Sequence, residues 1–163
     1  KRREKPFFSI QNKFFTAIFR SIFITVIIYF LGGGLALSCY LISALISKIL
    51  LETINYVEHY GLVRAEGRPV RSRHSWNSNS FISSVFTFNL TRHSAHHEKA
   101  QLPYWKLTPY SDAPKMPYGY LSTFFFALLF PFLYRKMMAK KLKDWDENYA
   151  SNAEKQIVAS ITN

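Results

Sequence analysis

Cysteine is nearly missing from this chain: Cys39 is the single one in 163 residues. It has no partner for an internal disulfide, and a thiolate-rich zinc site is out of reach. Cys39 lies in an apolar run, where its expected role is that of a small buried residue. Acidic side chains are scarce too, ten against twenty-one basic ones, for a formal net charge of +11. Between Ser21 and Ser47 charge is absent altogether, and Ile, Leu, Phe, Val and Tyr fill the stretch. An uncharged apolar run beyond about 18 residues is a transmembrane signal, and one of about 27 is long for a single span. The basic residues gather outside it, in Lys1-Arg2-Arg3-Glu4-Lys5, Arg64–Arg73 and Arg135–Lys143. A nucleic-acid binder interleaves basic groups with exposed aromatics on a soluble fold. Basic clusters that flank an apolar run instead mark cytoplasmic loops beside anionic lipid, so no nucleic-acid partner is expected. No signal peptide precedes the run and the chain opens on Lys1, which predicts part of a longer or processed polypeptide.

Three consecutive glycines, Gly32-Gly33-Gly34, divide the apolar region. Inside one helix they cost about 1 kcal/mol each relative to alanine, whereas a turn uses their access to positive φ. The expectation is a transmembrane hairpin, with helices at about 14–31 and 35–55 joined by a glycine turn. The hairpin puts all three basic clusters on the cytoplasmic side and leaves an uncharged turn opposite. Arg20 and Lys48 fall on the cytoplasmic halves of the two helices, where long side chains snorkel to the headgroups. The fold class is thus all-α integral membrane, multi-pass, with both ends cytoplasmic. Residues 1–55 form the hairpin, 56–120 a cytoplasmic helical region, and 121–163 an interfacial amphipathic helix with a polar tail.

Within the middle region, Arg64 to Ser80 is polar, with a loop signal at Gly67-Arg68-Pro69. Helical spacing resumes over Phe81–Glu98, with Phe81, Val85, Phe88 and Leu90 on the apolar side. Pro103, Pro109, Pro114 and Pro117 then argue for an extended segment packed over a core. Leu121–Leu133 is apolar but short and contains Pro131, with Arg135-Lys136 and Lys140-Lys141 as a basic edge; it reads as the interfacial helix. Asp144–Asn163 reads as a loosely packed polar tail.

Chemistry concentrates in the histidines. In Arg92-His93-Ser94-Ala95-His96-His97 three imidazoles stand at i, i+3 and i+4, which a helix projects from one face. Asn55-Tyr56-Val57-Glu58-His59-Tyr60-Gly61-Leu62 supplies a fourth, so these two segments hold four of the five histidines. Random placement seldom clusters three of five, which argues against a solvated His-rich helix. Converging neutral imidazoles ligate iron, copper or catalytic zinc, and the spacing alone does not choose among them. The residues by themselves indicate a histidine-ligated metal site on the cytoplasmic side of a membrane protein.

These blocks, together with His74-Ser-Trp76-Asn77-Ser-Asn79, resemble in order and interval the C-terminal signature blocks of the membrane-bound alkane 1-monooxygenase family. The resemblance continues through Pro117-Tyr-Gly-Tyr120 and, more weakly, to Asp144-Trp145, so it covers most of the chain. Xylene-type monooxygenases share the first block, and membrane desaturases carry looser histidine boxes. The resemblance implies two non-heme irons that use O2 to hydroxylate the terminal carbon of an alkane, with electrons from rubredoxin. Carried over by position, His59, His93, His96 and His97 are iron ligands. Glu58, His74, Trp76 and Asn77 are the residues expected to support them by hydrogen bonds. Arg64, Arg68, Arg71, Arg73, Arg92 and Lys99 are candidates to dock an acidic rubredoxin, or else to contact anionic lipid. The family's two upstream blocks, H-E-x-x-H and E-H-x-x-x-H-H, do not occur in this sequence. The remaining ligands are then expected from a missing N-terminal segment or a partner subunit, without which no hydroxylation is expected. A xylene-type hydroxylase, a desaturase and a non-enzymatic metal-binding membrane subunit are the alternatives.

Overall fold

The computed structural model describes residues 12–99 and 101–162; the Lys1–Lys5 cluster lies outside them. The chain divides into two compact units, Lys1–Leu50 and Leu51–Asn163. Among the described residues the secondary structure is helical, with an isolated parallel bridge between Asn77 and Lys115 and no named strand.

The first unit is built on helix α1, Lys13–His59, whose last nine residues from Leu51 belong to the second. Asn12 Oδ1 accepts the Phe14 N–H at 3.1 Å and so caps its start. Along the apolar stretch the hydroxyls fold back onto the preceding turn, Ser21 to Ala17 O, Thr25 to Ser21 O, Ser38 to Gly34 O and Ser47 to Ser43 O. That is how a hydroxyl is satisfied where no water is available. The helix is long and apolar enough to cross a membrane, and its most apolar 18 residues bury 0 % of themselves in the protein. Phe30 is 80 % exposed and Leu31 84 %. A helix this apolar and this exposed is not a soluble core helix; lipid is the solvent that suits it.

At the glycine triplet two helical stretches meet across a kink, where Gly33 leaves the helical region, at φ 65 and ψ −161. A side chain at that φ is strained, so glycine is what permits the break. Cys39 is exposed on α1 and not the buried residue expected, because α1 turns its side chains outward.

The second unit has a core of Val57, Trp76, Met116, Tyr120, Ala127, Tyr134, Met138 and Trp145. After α1 the chain turns at Gly61, φ 70, where the Leu62 N–H returns to His59 O at 3.2 Å. The positive φ favours glycine there, and a Cβ on Gly61 would also push on the Leu142 side chain, 2.4 Å from its Cδ2. Two short helices follow, α2 (Phe81–Phe86) and α3 (His93–Glu98), in place of the single helix read over 81–98. Phe88 and Asn89 take positive φ, 51 and 60, which ends α2 and re-aims the chain. The apolar residues of that stretch face outward, Phe81 at 82 % exposure, so their helical spacing did not mark a core face. Residues 101–118 are irregular, with a 3-10 turn at Tyr104–Lys106 and further turns at residues 101 and 111–112, and the four prolines keep regular helix out. This segment is tied on by Asn77 N–H to Pro114 O and Met116 N–H to Asn77 O, both 2.9 Å.

The C-terminal region departs most from expectation. Pro131 divides the apolar stretch read as one interfacial helix: α4 is Tyr120–Leu129, and α5, Pro131–Asn148, starts on the proline, whose missing N–H costs nothing at a first turn. α4 packs on α5. The stretch from Asp144 is no loose tail, because α5 runs through it and α6 (Asn152–Thr162) follows. Trp145 is fully buried and Glu154 is 1 % exposed. Trp145 belongs with Tyr134 and Met138 to one buried face of α5, a helical pattern that the surrounding lysines obscured.

Candidate metal centre

His59 ends α1, and His93 and His97 sit one turn apart on α3. Their available ring nitrogens all lie within 4.8 Å of one another. His59 Nε2 is 3.1 Å from His93 Nε2 and 3.2 Å from His97 Nε2. What faces inward follows from what faces outward. His59 Nδ1 is 3.1 Å from the His74 carbonyl oxygen, which only accepts, so Nδ1 carries the proton and Nε2 offers a lone pair. His93 Nδ1 lies 3.2 Å from Glu58 Oε2 but is not aligned as a hydrogen bond, and burial pushes the Glu58 carboxyl up to about 8, so without a metal this contact does not fix the His93 tautomer. A cation on His93 Nε2 would favour the carboxylate and a proton on Nδ1.

His59 Nε2 and His93 Nε2 stand 3.1 Å apart, close enough to share a proton or a cation. Nitrogens bound at about 2.1 Å to one ion stand roughly 3 Å apart when they neighbour each other in its coordination sphere. The three imidazoles therefore fit a metal ion. The electrostatics agree: burial first, then the neighbouring His97, His59 and His96, lowers His93 to about 3. His97 is lowered too, by desolvation, by His59 and His96, and by Arg64. Both rings are neutral at neutral pH, as ligands must be.

Each supporting residue has a definite task. Glu58, fully buried, accepts the Tyr120 hydroxyl at 2.9 Å on Oε1 and turns Oε2 to His93. His74 offers its carbonyl to His59. Trp76 closes the end of α1, its N–H on Glu58 O at 2.8 Å and its indole N–H on Tyr60 O at 2.9 Å. Asn77 touches no ligand ring. Its Oδ1 accepts the Ser94 N–H at 3.0 Å and its amide donates to Ser94 Oγ at 2.7 Å, which anchors the start of α3. Ser94 Oγ in turn donates to Ser72 O at 2.6 Å.

His96 stands beside the cluster without joining it, its ring centroid 5.7 Å from His93 and 5.9 Å from His97. Of the docking candidates, Arg64 lines a cavity of about 260 Å³ with His59, Leu62, Val63, Val70, His74 and His97. Arg68, Arg71 and Arg73 line another, of about 400 Å³, with residues 151–154. Arg73 is held by Glu154 and Arg92 by the Leu107 carbonyl, so neither guanidinium is simply presented to a partner. Lys99 is exposed. Sequence reasoning did not select Tyr120, Ser94 or Glu154. Tyr120 lay in a recognisable block, whereas a lone glutamate in a polar stretch carries no spacing signal.

The chain matches the fatty acid desaturase family over residues 1–137, a range that contains His59, His93, His96 and His97. The chain belongs to the fatty acid desaturase family. Among its curated relatives are alkane 1-monooxygenase 1 of Pseudomonas aeruginosa, 38 % identical over 148 residues, and the alkane 1-monooxygenase of Acinetobacter baylyi, 37 % identical over 153. These alignments cover 88 % and 87 % of this chain, and 38 % and 36 % of the relatives. The xylene/toluene monooxygenase hydroxylase component XylM of Pseudomonas putida is 28 % identical over 157 residues, 96 % of this chain and 42 % of its own length. The chain thus spans about two fifths of the length of the relatives it matches. The resemblance to alkane 1-monooxygenases and their xylene-type relatives, read from the signature blocks, holds over most of the chain.

Proposed function

We propose that this chain belongs to a membrane di-iron monooxygenase that hydroxylates the terminal C–H bond of alkanes with O2. The observation that carries the reading is the convergence of the His59, His93 and His97 ring nitrogens, with the outer nitrogen of His59 on the His74 carbonyl and that of His93 3.2 Å from Glu58. Iron held there, together with a second iron, supplies the activation of O2. The protein's part is to present neutral Nε2 atoms, to hold their tautomers through the His74 carbonyl and Glu58, and to keep α3 in place through Asn77 and Ser94. Leu62, Val63 and Val70 give the adjoining cavity an apolar lining that limits water beside the site. Three or four imidazoles do not satisfy two irons, so further ligands come from another part of the protein or from a partner subunit. His96 is assigned to the iron pair with the other three.

The membrane reading is a hairpin. A straight 47-residue helix would extend ~70 Å, more than twice the ~30 Å hydrocarbon core. The break at Gly33 leaves two arms of about one bilayer thickness each, which supports spans at 14–31 and 35–55 with both ends cytoplasmic. His59 closes the helix that carries the apolar run, which suits a lipid-dissolved alkane and a soluble electron donor. Rubredoxin is the proposed donor, attracted by the exposed Arg64, Arg68, Arg71 and Lys99.

The test uses the protein that carries this chain, purified in lipid nanodiscs with rubredoxin and its reductase. Primary alcohol is measured from an alkane by gas chromatography, and iron by elemental analysis. His59→Ala, His93→Ala and His97→Ala are each expected to lose iron and alcohol together. Retention of both in all three variants refutes the reading.

A further inference from the structure

We propose that Glu154, on α6, is a positioning residue for the metal ligand His59 and acts on it through His74. The inference rests on the reading above that His59 binds a metal. Glu154 is 1 % exposed and accepts four hydrogen bonds. The His74 Nε2–H donates to Oε1 at 2.7 Å, and Arg73 gives Nε–H to Oε2 at 2.9 Å and Nη2–H to Oε1 at 3.2 Å. The Ser151 N–H donates to Oε2 at 2.8 Å. The opposite ring nitrogen of His74, Nδ1, accepts the Arg71 N–H at 3.0 Å. That bond fixes the tautomer: Nδ1 is the acceptor, so Nε2 carries the proton that Glu154 takes.

The short turn Ser72–His74 is therefore held on both sides. Glu154 grips it by the Arg73 and His74 side chains, while the Trp145 indole N–H donates to Arg73 O at 2.6 Å. The His74 carbonyl of this same turn is the acceptor that orients His59. Ser72 O receives Ser94 Oγ from α3, so the turn also touches the helix that carries His93 and His97. Loosening it moves the acceptor behind one ligand and a support beneath the other two. An imidazole whose outer N–H loses its fixed acceptor gives up both its tautomer and its aim. A carboxylate is suited to this task, since charge-assisted bonds to Arg73 and His74 are stronger and more directional than neutral ones. Glu154 lies beyond the stretch matched to the family, in a polar segment with nothing in its own pattern to mark it.

The experiment measures iron release to a chelator from the protein in nanodiscs, and the absorption bands of the cobalt(II)-substituted site. It compares Glu154→Ala, Glu154→Gln, His59→Ala and Leu121→Ala, the last a half-buried residue of α4 remote in sequence from the turn. Glu154→Ala is expected to speed iron release about tenfold, the low end of what removing an outer partner of a ligand costs. Glu154→Gln keeps an acceptor oxygen for His74 and should fall between wild type and Glu154→Ala. The cobalt bands should shift in both Glu154 variants but not in Leu121→Ala, even where that variant lowers the unfolding temperature as much. If Glu154→Ala does not fold, Glu154→Gln decides: unchanged release and unchanged bands overturn the proposal. If His59→Ala loses iron while Glu154 variants release it at the wild-type rate, the positioning role fails and the metal site stands. If His59→Ala keeps its iron, the metal reading itself fails.

Discussion

Replacing Glu58 by glutamine exchanges one heavy atom in the interior and should reverse the chemistry of a histidine 3.2 Å away. Burial pushes the Glu58 carboxyl up to about 8, and a metal ion on His93 would favour its carboxylate form. That form takes the Tyr120 hydroxyl on one oxygen and faces His93 Nδ1 with the other. In Glu58→Gln the amide oxygen keeps the Tyr120 bond, which turns the amide NH2 toward His93. An NH2 group only donates, so His93 Nδ1 must become the acceptor and the ring proton must move to Nε2. That places an N–H where the cluster needs a lone pair. A metal then binds only after a tautomer change against the new hydrogen bond. Loss of such an outer partner lowers metal affinity by about 10–100-fold, or ~1.4–2.7 kcal/mol. The fold should not suffer, because burial already pushes Glu58 up to about 8, so in the metal-free protein the amide replaces a largely neutral acid. The assay is a chelator titration of iron in nanodiscs beside thermal unfolding of the metal-free protein. Weakened iron with an unchanged or raised unfolding temperature is expected. Wild-type iron affinity in folded Glu58→Gln refutes the tautomer argument, and a large fall in metal-free stability shows that the carboxylate serves the fold instead.

Two further outcomes concern the C-terminal helices. Burial pushes the Glu154 carboxyl upward, but Arg73, the Ser151 N–H and His74 outweigh it and hold the group at about 2 against an ordinary 4.5. A carboxylate depressed in the folded state contributes stability above its unfolded value, and loses it as pH falls from about 4.5 toward 2. Unfolding temperatures measured across that interval should drop more steeply for wild type than for Glu154→Gln, and parallel curves would contradict the assignment. Trp145→Ala should destabilise the second unit by about 3–5 kcal/mol, the range for emptying a large aromatic site. It also frees the Arg73 carbonyl, so denaturant midpoints that barely move would show that α5 is not a fixed part of this core.

What was legible in the sequence was whatever local periodicity or residue type encodes directly. An uncharged apolar run is readable because lipid imposes the same demand on every residue of a span, and α1 is the result. His93 and His97 were readable because four residues make one helical turn, and three of the four histidines carried over by resemblance meet within 4.8 Å. His96, at i+3, shares their helix, with its ring centroid 5.7 Å from that of His93. Other features depend on contacts between distant segments, which periodicity does not report. Glu154 pairs with Arg73 and His74 across roughly 80 residues of sequence, and the lysines around Trp145 disguised a helix buried on one side only. The break at Phe88 and Asn89 was hidden for another reason: positive φ in a non-glycine residue is imposed by its surroundings, here the bonding of Asn89 N–H to Ser84 O and of its amide to Tyr104 O. The metal cluster therefore comes from two sources at different depths. Its ligands are written locally, in two short blocks. Their alignment is delegated to residues such as Tyr120, Ser94 and Glu154, whose positions acquire meaning only once the chain has closed around them. The residues that align them lie on the boundary between site and core, and changes there must be judged by metal release and unfolding together.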